Sequence, residues 1–327
     1  MKTHQVQQKT ERRISAALRL VFVAALLLGQ IALAFFLSTE LRQRAAIIYT
    51  VLELAAFGYA VRIYNRTDGT SYKFGWIFLV LTVPVVGLIL YFLWNGDRQQ
   101  KRLDLKKLPM PEEPEAQQAA HRIQMEKLRR KFPQWERLSV YLSRQGYLLY
   151  GDTETTYLPT GEVFLQDMLE KLEQAEHFIF LEFFIIAQGQ IWDRMTEIFR
   201  RKAAAGVEVK LIFDDFGSMM RLPAEQIEAL RESGIEVQIF NPVHHYVNRL
   251  YFNYRDHRKI VCIDGSTAYT GGANVADEYA NLTVRFGYWK DCGVRLDGPG
   301  AWGLTREFLH MWQRNGGQLM QERDYYR

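Results

Sequence analysis

The chain has 327 residues, 48% apolar and 24% charged, with a formal net charge of +4. At ~100–200 residues per domain this suggests two or three folded units. The composition excludes a disordered chain, and the charge is too small to argue for nucleic acid by itself. Two cysteines, Cys262 and Cys292, exclude a disulfide scaffold and any CxxC-type zinc site.

The apolar residues are unevenly spread, and residues 1–97 read as a membrane region. Leu20 to Leu37 is apolar except for Gln30, and about 18–20 such residues cross the hydrocarbon layer. Residues 45–63 form a second expected span, interrupted by Glu53 and Arg62; Glu53 is expected to face other helices, the alternative being a helix lying in the interface. Residues 74–94 carry no charge, with Trp76 near one end and Tyr91 and Trp94 at the other, where rings suit the headgroup interfaces. Pro84 and Gly87 fall mid-segment, which membrane helices tolerate. A signal peptide is the alternative for the N-terminus, but Ser38-Thr39-Glu40-Leu41 is a poor cleavage site. With three spans, Lys and Arg are nearly balanced between the two sides. The dense cluster from Arg98 to Lys107 favours a multi-pass protein of the cell membrane with a cytoplasmic C-terminal part.

Residues 98–144 read as a linker and a basic helix. Pro109, Pro111 and Pro114 open it, and Pro133 breaks the helix expected over 116–144. Arg122, Lys127, Arg129, Arg130 and Lys131 accompany Leu128, Phe132, Trp135, Leu138 and Leu142 at roughly helical spacing. Lying along an anionic bilayer is one reading and packing on the following domain is the other.

Residues 145–327 alternate strands with helices. Helical periodicity covers 163–175, a helix from Ile191 stops at Gly206, and one from Pro223 is ended by Gly234. His177-Phe-Ile-Phe-Leu-Glu-Phe-Phe-Ile-Ile186 reads as a buried strand, and residues 207–213 and 235–240 read as further strands. The alternation predicts an α/β lobe with a mostly parallel or mixed sheet flanked by helices.

Chemistry concentrates after that pattern. In His257-Arg-Lys-Ile-Val-Cys-Ile-Asp264, an extended backbone puts His257, Lys259, Val261 and Ile263 on one face and Arg258 on the other, where it reads as a tolerant position. An imidazole can attack phosphorus covalently, and an ammonium beside it neutralises phosphoryl oxygens. Thr270-Gly-Gly-Ala-Asn274 lets the backbone approach a ligand closely and offers an amide donor. Such a design calls for no metal and no cofactor. A lone His-x-Lys among Arg249, Arg255 and Arg258 is usually a solvated face; His-x-Lys-x4-Asp followed by Gly-Gly-x-Asn is much rarer.

Here the sequence resembles the phospholipase D superfamily, with its HKD motif, and most nearly the bacterial cardiolipin synthases. Tyr72-Lys-Phe-Gly-Trp76 with Pro84, Gly87 and Tyr91 is similar to the family's membrane segment. Leu181-Glu-Phe-Phe-Ile-Ile186, Gly206-Val-Glu-Val-Lys210, Asp214-Asp-Phe-Gly-Ser218, Arg255-Asp-His-Arg-Lys-Ile260 and Phe286-Gly-Tyr-Trp-Lys-Asp291 also match. The resemblance implies His257 as nucleophile or general acid. Lys259 and Asn274, with Gly272 in the close turn, would hold the phosphate, and Asp264 would hold the motif in place. It further implies that Asp291 orients His257 through its second nitrogen. Glu182, costly inside an apolar strand unless paired, reads as half of an ion pair or as a substrate contact. Gly293 stands where the family often has histidine.

Family members carry two HKD motifs on two similar lobes that meet at one site. Of the seven histidines, only His257 has Lys two residues on and Asp seven residues on. The expected activity is a membrane-anchored phosphatidyltransferase that condenses two phosphatidylglycerols to cardiolipin and glycerol. A second HKD lobe would come from a homodimer or a separate chain, and no nucleic acid is expected. The alternatives are a homodimeric phosphodiesterase acting on lipid or nucleic acid, and an inactive half that binds a separate second lobe.

Overall fold

The computed structural model describes residues 42–66, 70–94, 115–242 and 255–318, with Tyr325 and eight single positions between Val21 and Phe35. The expected span over 20–37, the cluster from Arg98 to Lys107 and Arg249 lie wholly or largely outside these residues. The chain divides into two compact units.

In the N-terminal unit, α1 (Arg42–Tyr64) is followed by α2 (Thr70–Thr82) and α3 (Pro84–Trp94). Ala56, Ala60 and Ile63 recur at helical spacing and form the buried face of α1. Glu53 lies off this face and is exposed among the described residues. The uncharged stretch 74–94 is not one continuous helix but is divided between α2 and α3. Pro84 supplies no N–H and ends α2; α3 then folds back, bringing Trp76 and Tyr91 to 5.5 Å between ring centroids. Among the described residues, no helix is long and apolar enough to cross a membrane.

The second unit opens with α4 (Glu115–Lys131), a 3-10 turn at Pro133–Trp135 and α5 (Glu136–Arg144), so Pro133 interrupts the basic helix as expected. His121 on α4 accepts from the Leu149 amide at 2.9 Å and contacts Ser143 of α5 at 3.2 Å. These bonds seat α4 on the lobe. By contrast, Trp135, Leu138 and Tyr141 around α5 are exposed.

The lobe is a seven-stranded sheet in the order β1-β7-β6-β5-β2-β3-β4. In chain order the strands are β1 (Glu154–Leu158), β2 (Phe178–Phe183), β3 (Glu208–Asp214), β4 (Glu236–Phe240), β5 (Ile260–Ile263), β6 (Thr267–Gly271) and β7 (Gly293–Asp297). β2, β3 and β4 pair in parallel, joined by α7 (Gln190–Ala204) and α9 (Ala224–Glu232). Gly206 and Gly234, both at positive φ, end these crossovers. All other pairs are antiparallel, so the sheet is mixed rather than mostly parallel. The cause is local: only Asp264-Gly265-Ser266 separates β5 from β6, far too short for a crossover helix.

Both faces of the sheet are covered, which is why β2 is apolar without alternation. One face packs Ile179, Leu181, Val261 and Ile263 against α6 (Gly161–Leu172) and α7. The other packs Phe178, Phe180, Ile260 and Cys262 against α10 (Ala301–Arg314), with Trp302, Phe308 and Trp312. α8 (Asp215–Ser218) is a single turn at the end of β3.

Candidate active site

β5 runs antiparallel to β2 with Ile260 opposite Glu182. The residues just before β5 therefore stand beside the carboxyl end of β2, where its parallel partner β3 also ends. This is the edge of an α/β sheet at which ligands commonly bind. His257 and Lys259 are both there, His257 exposed and Lys259 buried. Lys259 Nζ lies 3.2 Å from His257 Nδ1 and donates to the His257 carbonyl at 2.6 Å. Phe184, just past β2, packs on both: its ring is 4.7 Å from the imidazole and 5.5 Å from the ammonium.

Burial, then the neighbouring Lys259 charge, lower the His257 pKa against the opposing pull of Asp256 and Asp214. Burial lowers Lys259 to about 8, opposed by Asp256 and Asp291. The histidine is thus held neutral near pH 7 while the lysine stays largely charged. With Lys259 charged, Nδ1 is the acceptor and the imidazole carries its hydrogen on Nε2. A cleft of about 530 Å³ opens beside the pair, lined among others by Tyr147, Tyr150, Thr270, Gly303 and Glu307.

The supporting residues are tied down by backbone amides. Asp264 occupies a left-handed position, φ 52°. Its carboxylate accepts from Glu176, His177 and Phe178, each at 2.8 Å, fixing the β5–β6 turn to the start of β2. Asn274 is buried; its oxygen accepts from the Ile185 amide at 2.9 Å and its nitrogen donates to the Tyr279 hydroxyl at 2.9 Å. It is a brace between the β6 exit and the segment after β2, with most of its amide committed before any phosphate arrives. A Cβ at Gly272 would run into the Asp291 carboxylate, so any side chain there would have to displace it.

Two expectations need correction. Asp291 does not orient His257 here: it accepts from its neighbour Cys292 at 2.8 Å and from Trp289 Nε1 at 3.4 Å, while Lys259 occupies the ring nitrogen it was expected to hold. Arg258 is not a tolerant solvated position. It does point to the face opposite Lys259, but α10 covers that face. There it stands 2.6 Å from Glu182 Oε1 without a well-aligned hydrogen bond, and it also meets Asp256 and Glu307 at 3.3 and 2.9 Å. Glu182 is fully buried, and burial raises its pKa well above the ordinary glutamate value while the Arg258 charge opposes the rise. It is the buried half of an ion pair whose other half, Arg258, lines the cleft. At Gly293, the place of the family's histidine is filled by the Phe164 ring.

Sequence reasoning missed Phe184 and the Asp214 bracket. Asp214 caps α8 through the Phe216 and Gly217 amides at 2.9 and 3.3 Å. It also accepts from the Asp256 amide at 2.9 Å and from Arg255 at 3.2 Å, so it clamps the segment that carries His257 into β5. The sequence signal was Asp214-Asp-Phe-Gly-Ser218, an N-cap pattern closing a buried strand.

A histidine–lysine pair at the mouth of a mixed α/β sheet, its turn pinned by an aspartate seven residues on, defines a phospholipase D-like lobe. Residues 168–285 match the family model described as "Cardiolipin synthase, PLD-like domain", and residues 54–95 match "Phospholipase_D-nuclease N-terminal". The lobe belongs to the phospholipase D superfamily, and the chain is similar to bacterial cardiolipin synthases. It is 38% identical over 259 residues to an uncharacterized protein of Streptococcus mutans, covering 78% of this chain and 55% of that one. It is 30% identical over 273 residues to cardiolipin synthase 2 of Bacillus anthracis, covering 83% and 53%. With the major cardiolipin synthase ClsA of Bacillus subtilis it shares 29% over 267 residues, 77% and 53%. The chain spans about half the length of these curated relatives.

Proposed function

We propose that this chain is a membrane-anchored phosphatidyltransferase half-site of cardiolipin synthase type. The observation that carries the reading is the neutral imidazole of His257 beside the buried ammonium of Lys259. A histidine nitrogen attacks the phosphodiester of one phosphatidylglycerol and the bond to glycerol breaks. The departing oxygen takes a proton from a second histidine, leaving phosphatidyl-histidine. The hydroxyl of a second phosphatidylglycerol, giving its proton back, displaces the histidine to yield cardiolipin. The sum is two phosphatidylglycerols to cardiolipin and glycerol. Lys259 holds phosphoryl oxygens in both steps, and Gly272 and Asn274 line the phosphate side.

The two histidine roles require two HKD lobes, so His257 supplies one and a second lobe the other. With Lys259 on Nδ1, His257 is in its proton-donating tautomer; the attacking form needs that hydrogen moved to Nδ1. The loop 282–288 supports a missing lobe: Val284, Phe286 and Tyr288 are 85%, 73% and 70% exposed, costly for a lobe that stays alone. A homodimer is the simplest source. The exposed Trp135, Leu138 and Tyr141 beside basic residues support α5 lying against anionic lipid.

The test is lipid analysis after incubating the purified full chain in phosphatidylglycerol vesicles. Cardiolipin above a His257→Ala control supports the reading. No cardiolipin above that control overturns the version in which copies of this chain suffice. Phosphatidic acid without cardiolipin would instead assign hydrolysis.

A further inference from the structure

The stretch 74–94 is uncharged like a spanning helix, yet it is folded like a hairpin. α2 descends antiparallel to α1: Lys73 Nζ donates to the carbonyls of Tyr64 and Arg66 at 3.2 and 3.0 Å, and Ala56 packs with Val80. α3 then climbs back along α2. Gly87 lies so close to α2 that a Cβ would sit 2.5 Å from the Leu79 carbonyl oxygen and 2.7 Å from Val80 Cα. At the end of the return, Tyr91 meets Trp76 at 5.5 Å and its hydroxyl accepts from Arg66 at 3.2 Å. Tyr59 packs on Phe92 at 4.9 Å between centroids. The entrance and exit of the hairpin are therefore at the same end.

Its depth is set by α2, 13 residues or about 20 Å at 1.5 Å per residue. That falls short of the ~30 Å hydrocarbon layer. The outer surface of this unit is apolar, with Phe57, Phe74, Phe78, Leu81, Ile89 and Phe92 exposed, which suits lipid rather than water. The tip is equipped for a place without water. Val83 N donates to Leu79 O at 3.0 Å, the Thr82 hydroxyl donates to Phe78 O, and Pro84 has no N–H to satisfy.

We propose that α2–α3 is a re-entrant hairpin that enters the bilayer and returns to the same face, so that residues 65–73 and the chain after Trp94 share one side of the membrane, the cytoplasmic side. Charge supports the side independently of the fold. Arg66 and Lys73 flank the entrance and Arg98, Lys101, Arg102, Lys106 and Lys107 follow the exit, whereas only Arg42 and Arg44 stand at the far end of α1. A hairpin that crossed would split these cations and leave the positive-inside balance almost even; one that returns gathers them on one face.

The test is accessibility of single cysteines in the full chain in native membranes. The exposed Cys292 is replaced by serine; Cys262, buried with its thiol pushed up to about 12, stays. Asn65→Cys and Glu115→Cys report the two flanks, both exposed, and Leu81→Cys the tip. A membrane-impermeant maleimide should label both flank cysteines in inverted vesicles and neither in intact cells. Leu81→Cys should be protected in both preparations and labelled after detergent is added. Labelling of Asn65→Cys and Glu115→Cys from opposite sides, or of Leu81→Cys from the side opposite Asn65→Cys, overturns the hairpin. Both flanks labelled from outside intact cells overturns the sidedness. The readout does not use activity, so it stands or falls apart from the transferase reading.

Discussion

At the scale of single residues, Lys259 is the most informative. In the proposed transferase its substitution by methionine would remove the ammonium that stabilises developing phosphoryl charge, and losses on the order of 10²–10³ in rate are typical. Activity should vanish while the fold survives, because the lost charge was buried at a cost. The linkage has a definite sign. Burial lowers Lys259 from 10.5 to about 8, so between those values the unfolded chain holds the proton that the folded chain has released, and stability rises with pH across that window. Denaturation of detergent-solubilised protein from pH 8 to 10.5 should show this rise in the wild type and not in Lys259→Met. Turnover should fall as pH climbs through about 8, because the neutral lysine no longer holds phosphate. Lys259→Arg should move that limb beyond the accessible range, if it retains activity enough to measure.

At the scale of elements, the lobe is held by carboxylates that join strands to turns. Arg258→Gln would leave Glu182 buried between β5, β2 and α10 without its counter-charge, and removing one partner of a buried pair costs about 3–5 kcal/mol. A thermal melt should show a large drop, largely recovered in the Glu182→Gln, Arg258→Met double variant. Asp264→Ala should lower stability through three lost amide bonds, whereas Asp264→Asn, which tolerates the left-handed backbone, should lose less. In neither should turnover per folded molecule fall as far as in Lys259→Met. The order of strands and helices in the lobe, its helix stops at Gly206 and Gly234, and the shared face of His257 and Lys259 were legible because period and glycine placement are local signals. Less legible was what lay across the sheet. Nothing near Arg258 in the sequence says that α10, some fifty residues on, will cover it, and nothing near Gly293 says that Phe164 fills its space. The fold-back at Pro84 was hidden because an uncharged run reads alike whether it continues or returns.

At the scale of the whole molecule, the single HKD motif makes the number of lobes a measurable quantity. If two copies of this chain complete the site, mixing equal amounts of wild type and His257→Ala and allowing exchange should leave about a quarter of the activity, since only wild-type pairs carry both histidines. A decline to about half would assign the second lobe to a different chain. The hairpin also bears on how the protein is made. α2 and α3, of 13 and 11 residues, are each too short to partition into lipid alone as a nascent segment. Insertion machinery would have to retain Phe74–Thr82 until Gly87 and Tyr91 had been synthesised, then release both halves together. A ribosome pausing between Pro84 and Trp94 would hold an apolar stub with no partner, so the timing of translation over these eleven codons becomes part of assembly.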